Sequence, residues 1–162
     1  MPITLDKPTA DAIDRFITRC RVECGMAANT LTAYRSDLEH FFDCCLVPVA
    51  QVTPAHIRAY IAGSPNGAAT KKRWLACFRQ FFRFHGNDAA QQVEVPKQEQ
   101  RLPKPVRTDK VQEMIDATTD TGERLVLELL YGCGLRASEL ATAKMQGDMV
   151  RVTGKGAKDR LV

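Results

Sequence analysis

Residues 125–144, LVLELLYGCGLRASELATAK, are followed after five residues by 150–162, VRVTGKGAKDRLV, and together they decide the fold class. From Glu123 to Cys133 the residues Leu125, Val126, Leu129 and Leu130 recur at helical spacing and should face inward, with Gly132 and Gly134 punctuating the end. The segment from Leu135 to about Met145 reads as helical again. The period then changes from helical to alternating. Met149–Thr153 is strand-like, Gly154–Lys158 is a turn, and Asp159–Val162 starts a returning strand. Helices giving way to a β-hairpin indicate an α+β unit that has only begun by the last residue. Neither glycine-rich piece is a nucleotide loop, because GCGLRA lacks the third glycine of GxGxxG and TGKGAKD is not GxxxxGK[ST].

Upstream of Glu123 the pattern is helical nearly throughout. Thr108-Asp109 can cap a helix through Thr118, with Val111, Met114 and Ile115 apolar. Residues 87–107 contain Pro96, Pro103 and Pro105 and show no period, so they read as a stiff, extended linker that folds into neither neighbour. Before it lie four amphipathic helices. Thr9 caps the first, with Ile13, Phe16, Ile17, Cys20 and Cys24 on one stripe, and Gly25 ends it. Asn29 or Thr30 caps the second, with Leu31, Tyr34, Leu38, Phe41, Phe42 and Cys45 inward. Thr53-Pro54 opens a third carrying Ile57, Tyr60 and Ile61. After the turn Ser64-Pro65-Asn66-Gly67, the fourth runs from about Thr70 to His85 with Trp74, Leu75, Phe78, Phe81 and Phe82. Four such helices with short connections make a bundle. The chain therefore reads as mostly α: a helical domain at 1–86, a linker at 87–107, and the opening of an α+β domain at 108–162.

The 162 residues carry a net charge of +4, unevenly distributed. Segments 1–66 and 111–162 each sum to −1, whereas 67–110 holds ten Lys/Arg against four Asp/Glu, a surplus of +6. That concentration suits a phosphate-binding face, although a solvated surface has the same composition. On the fourth helix, Arg79 and Arg83 lie about 20° to either side of Lys72, a stripe roughly 16 Å long that spans several phosphates. Lys71 and Arg73 add charge at its start. The six cysteines show no CxxC spacing, and most occupy apolar helical positions as reduced thiols. His40, His56 and His85 form no metal-ligand motif, so no metal is expected. No apolar run approaches the ~20 residues a membrane span needs, and the first residues lack a signal-peptide pattern. A cytoplasmic protein is the expectation.

The two quoted segments resemble the opening of the catalytic domain of tyrosine recombinases, above all bacterial Xer proteins and phage integrases. There Gly-Leu-Arg-x-Ser-Glu-Leu precedes a hairpin bearing Gly-Lys-Gly-x-Lys-x-Arg. NTLTAYRSDLEHFF, 29–42, is similar to the second helix of the family's SAM-like core-binding domain, and PKQEQRLPKPV, 96–106, to its linker. The resemblance implies that Arg136 is the first catalytic arginine, donating to the non-bridging oxygens of the scissile phosphate, a role suited to a planar, permanently charged fork. It implies that Glu139, on the same helical face, holds Arg136 in place, and that Lys155 is the general acid. Thr30 and Arg35, with Lys71, Lys72, Arg73, Arg79 and Arg83, are expected at double-stranded DNA, and Lys158 and Arg160 at backbone phosphate. Without the motif, Arg136 and Glu139 would read as a surface ion pair.

The connection before the hairpin is several residues shorter than in Xer proteins, implying a missing or shortened first strand. The family's His-x-x-Arg pair and its nucleophile have no counterpart in the sequence. Tyr34, Tyr60 and Tyr131 all sit in apolar stripes and read as core, so none is assigned as nucleophile. The resemblance implies a DNA-binding portion of a site-specific recombinase, working without cofactor and on DNA beside itself or a paralogous recombinase, as a tetramer in the full-length family. Two other functions fit the same residues: a naturally short, non-catalytic DNA-binding protein, and a helical protein-interaction module.

Overall fold

The computed structural model describes residues 5–94, 104–154 and 158–162. The chain divides into two compact units, Met1–Gln100 and Arg101–Val162.

The first unit is a bundle of α1 (Lys7–Val22), α2 (Ala28–Cys44), α3 (Pro54–Gly63) and α4 (Ala68–Phe84). Helix α1 begins before Thr9: Pro8 occupies its first turn, where a missing N–H costs nothing, and Thr9 is buried inside the helix. Helix α2 likewise begins ahead of Asn29 and Thr30, from Ala27, with no side-chain cap. Helix α3 starts as expected at Thr53, whose backbone N–H donates to His56 Nδ1 at 3.1 Å, so that histidine takes the place a glutamate usually fills in a capping box.

The apolar stripes converge on Phe16, Phe41, Phe78, Phe81 and Phe82, all essentially inaccessible. Phe41 and Phe78 have ring centroids 4.8 Å apart, and Phe16 meets Phe81 edge-on at 5.4 Å. Such pairs add about 0.5–1.5 kcal/mol each beyond their burial. Cys20 and Cys77 are buried with them, whereas Cys24 and Cys44 are exposed.

The expected linker starts too early at 87. Residues Ala89–Gln92 form a 3-10 turn, and Ala89, Ala90 and Val93 are buried in the bundle's core. Asn87 secures this segment by donating from its side chain to the carbonyls of Val49 and Val52, at 3.1 and 2.9 Å. Three small or β-branched apolar residues were enough to recruit the stretch, too few to show a period. The remainder of the expected linker, including Pro96 and Pro103, lies largely outside the described residues.

In the second unit come α5 (Thr108–Ala117), α6 (Thr121–Gly132), α7 (Ala137–Leu140) and an antiparallel sheet of β1 (Lys144–Gln146), β2 (Met149–Thr153) and β3 (Asp159–Leu161), in that order. Asp120 caps α6 by accepting from the Glu123 N–H at 2.9 Å. The helix expected from Leu135 to Met145 is only α7. Lys144 onward is strand instead, because Gly147 at φ 62° makes a two-residue turn with Asp148 that pairs Gln146 with Met149. The first strand of the small sheet is thus present, three residues long.

A second core forms from Leu135, Val150 and Val152, with Leu129, Leu130 and Leu140 against it. Leu125 and Val126, expected inward, are exposed, and Tyr131, read as core, is 52% exposed. Their stripe turns away from the Leu135 cluster, which takes only Leu129 and Leu130 from α6. Tyr34 is buried and Tyr60 packs on the first unit's core.

Candidate nucleic-acid interface and phosphate site

The cations of α4 fall into two groups. Lys72 and Arg83 are exposed and Lys71 is half-buried. Arg79 is turned inward: its Nη2 donates to the Val93 carbonyl at 2.8 Å and its Nε to the Ala90 carbonyl at 3.3 Å. It therefore leaves the expected DNA stripe and fastens the Ala89–Val93 segment to the bundle. Arg58 does the same from α3, donating to the Gln92 carbonyl at 2.8 Å.

Arg73 is tied to Asp37 of α2, Nη2 to Oδ1 at 2.7 Å, and Trp74 Nε1 donates to the same oxygen at 3.0 Å. Asp37 is buried, and its Oδ2 has no hydrogen-bond partner among the described residues. Burial pushes this carboxyl above its ordinary range, against the pull of Arg73 and Trp74. The sequence offered one sign of it, an acid inserted between Tyr34 and Leu38 on an apolar stripe. A cleft of about 780 Å³ opens beside it, lined in part by Ser36, His40, Tyr60, Arg73 and Trp74. Arg35 is committed as well, to Asp14 of α1 at 2.5 Å and to Glu39 at 3.6 Å. Thr30 lies half-buried in the first turn of α2. Of the seven DNA contacts expected in this unit, then, Lys71, Lys72 and Arg83 have no side-chain partner among the described residues, and three arginines serve the fold.

In the second unit the chemistry gathers around Glu139, which is only 3% exposed. Helix α7 has four residues, too short to hold itself, and Glu139 at its third position accepts from the Arg136 backbone N–H at 2.9 Å. Glu139 Oε1 also accepts from Arg136 Nη1 at 2.8 Å. Arg160, expected at DNA phosphate, instead lays its fork on the same carboxylate, with both bonds at 2.9 Å. The hydrogen bonds from Arg160 and from Arg136 hold the Glu139 carboxyl well below the usual range, at about 2. The Arg136 guanidinium is otherwise turned to solvent, its side chain 72% exposed.

The hairpin stem is locked by Asp159, which accepts from Arg151 and, at 2.7 Å, from Thr153 Oγ1. Lys158 is exposed, and its carbonyl accepts from the Gly154 N–H at 2.8 Å, closing the stem. Lys155 lies outside the described residues. Among the described residues no group of three or more potential metal ligands gathers, and no helix is long and apolar enough to cross a membrane.

Comparison with known proteins gives consistent results. Residues 13–86 match the family model for the phage integrase N-terminal SAM-like domain. The tyrosine recombinase XerD of Listeria innocua serovar 6a is 33% identical over 94% of the chain and 59% of its own length. That of Shewanella oneidensis is 32% identical, over 93% and 57%. The chain therefore spans somewhat more than half the length of these curated relatives. Among solved structures, the integrase from mycobacterium phage Brujita superposes with a TM-score of 0.54 over 96% of this chain and 58% of that one. At 19% identity that likeness is one of fold.

Proposed function

We propose that the chain is the DNA-binding portion of a site-specific recombinase of the tyrosine-recombinase type, joined to the part of the active site that receives the scissile phosphate, a reading supported by the match to the phage integrase SAM-like domain and the likeness to XerD proteins. The observation that carries the reading is the Arg136–Glu139 arrangement. A buried, fully hydrogen-bonded carboxylate holds an arginine by its backbone and by one Nη, leaving the rest of the guanidinium facing outward. Such a preoriented fork suits the charge that develops on non-bridging oxygens as phosphorus becomes five-coordinate.

In this reading the core-binding domain runs from residue 1 through Val93, which is packed in its core, and 108–162 belong to the catalytic domain. Lys71, Lys72 and Arg83 meet duplex DNA through its phosphates. Lys155 protonates the leaving 5′ oxygen, and Lys158 supports it at the backbone. The protein works in the cytoplasm, on DNA alongside further copies of itself or a related recombinase, with neither metal nor nucleotide.

Tyr34 and Tyr60 belong to the first unit's core, and in this reading Tyr131, although exposed, is not the nucleophile either, so this chain alone is expected to form no covalent adduct with nicked DNA on a denaturing gel. Binding is tested by titrating labelled duplex at several salt concentrations, with affinity expected to fall steeply as salt rises. Affinity that is flat with salt, or absent at low salt, refutes the DNA reading and favours a protein-interaction module.

A further inference from the structure

Glu139 carries more partners than an arginine holder needs. Its two oxygens offer about four acceptor positions, and all are filled: Oε1 by Arg136 Nη1 and Arg160 Nη1, Oε2 by the Arg136 backbone N–H and Arg160 Nη2. The fork-to-fork geometry belongs to Arg160, not Arg136, although Arg136 is the nearer in sequence. Arg160 reaches it from β3, where pairing with Val152 fixes its register.

We propose that Arg160 is a positioning residue that keeps Arg136 available: by occupying the Glu139 carboxylate bidentately, it prevents Arg136 from folding its own fork onto that acid. The proposal rests on the reading of Arg136 as the phosphate-facing arginine, but its geometry is testable without DNA. Bidentate arginine–carboxylate pairing is the strongest geometry available to either partner. With Arg160 absent, Glu139 would be left buried beside a single guanidinium three residues away. Arg136 would turn both Nη groups inward to satisfy it, withdrawing the donors that a phosphate needs. Arg160 is thereby also the link between the hairpin and α7, since one side chain spans from β3 to the acid that caps that short helix.

The test is chemical modification of the intact chain with phenylglyoxal, an arginine-selective reagent, read by peptide mass mapping. In the wild type Arg136 reacts fast and Arg160 slowly. In Arg160→Gln, Arg136 should become several-fold slower to react. The Glu139 carboxyl, followed by ¹³C NMR, should move up from about 2 towards the usual glutamate range, because one guanidinium then replaces two. Arg160→Lys retains the charge without the fork and should leave Arg136 intermediate in reactivity. Arg136 reacting at the wild-type rate in both variants overturns the proposal. So does faster reaction accompanied by loss of the β2 amide signals, which would mean that Arg160 supports only the sheet. Failure of DNA binding in the salt titration, with these results intact, would remove the recombinase reading and leave the Arg160 assignment standing.

Discussion

Arg79 and its neighbours on α4 allow a clean separation of binding from stability. Lys71, Lys72 and Arg83 make no side-chain hydrogen bond among the described residues, whereas Arg79 satisfies two backbone carbonyls of residues that are almost fully buried. Each lysine or arginine that neutralises a phosphate contributes about 0.9 to the slope of log affinity against log salt. The triple change Lys71→Ala, Lys72→Ala, Arg83→Ala should therefore flatten that slope by up to about 2.7, with little effect on unfolding. Arg79→Ala should do the opposite. Hydrogen bonds to a charged donor contribute about 1.5–3 kcal/mol each, so losing the Ala90 and Val93 bonds should cost about 2–4 kcal/mol once partial resolvation is allowed. The salt slope should change by less than roughly one contact. Fluorescence anisotropy between 50 and 200 mM salt, a range over which several phosphate contacts change affinity by orders of magnitude, reads the first quantity. Urea unfolding followed by Trp74, the sole tryptophan, reads the second. If Arg79→Ala lowers the slope by a full contact and leaves the unfolding midpoint unmoved, the inward assignment of Arg79 is wrong.

Three further outcomes are expected. Phe78→Ala, at a fully buried ring in the aromatic cluster, should destabilise the first unit by about 3–5 kcal/mol, a large part of a small domain's stability, measured by the same urea curve. The two units should respond oppositely to acid. Glu139 is held low in the folded state, so its contribution is present above the usual glutamate range and lost as pH falls towards about 2, visible as faster amide exchange in β2. Asp37 is held high by burial, so its ionisation opposes folding as pH rises through the carboxylate range. Asp37→Asn should abolish that part of the Trp74-monitored pH dependence. Finally, a thiol reagent at neutral pH should label Cys24 and Cys44 quickly, while Cys20 and Cys77, buried and with raised thiol values, stay protected until the bundle unfolds. Mass mapping of the labelled chain distinguishes them.

The helices of the first unit were legible because their burial is periodic, and Phe16, Leu38, Phe78 and Phe82 lie on the faces that spacing assigns. Their starts were less so. Thr9 and Asn29 carry capping chemistry that α1 and α2 do not use, since Pro8 preorganises one start and Ala27 the other has no oxygen to offer. Sequence placed Arg79 on the basic stripe of α4 with Lys72 and Arg83, and could not reveal that the next segment folds back within its reach. A stripe points in a direction, and the long-range partner decides what meets it. Glu139 was legible as the companion of Arg136, at i and i+3. That Arg160, 21 residues away, holds the same acid depends on strand register, which no local pattern contains. The strand at Lys144–Gln146 was hidden for a similar reason, because three exposed residues show no alternation and only the Gly147 turn assigns them to β2.

The small sheet also governs how the protein should behave in the tube. Its outer strands, β1 and β3, each have one flank without a neighbouring strand among the described residues, and Met145 and Leu161 on these strands, with Met149 at the start of β2, are substantially exposed. Unpaired strand edges beside apolar side chains act as templates for adding another chain. The second unit should therefore be the stickier of the two. Concentrated samples should scatter light and take up a hydrophobic dye before the helical bundle loses any structure, and a lysine at Met145 should extend the working concentration range more than any change to the first unit.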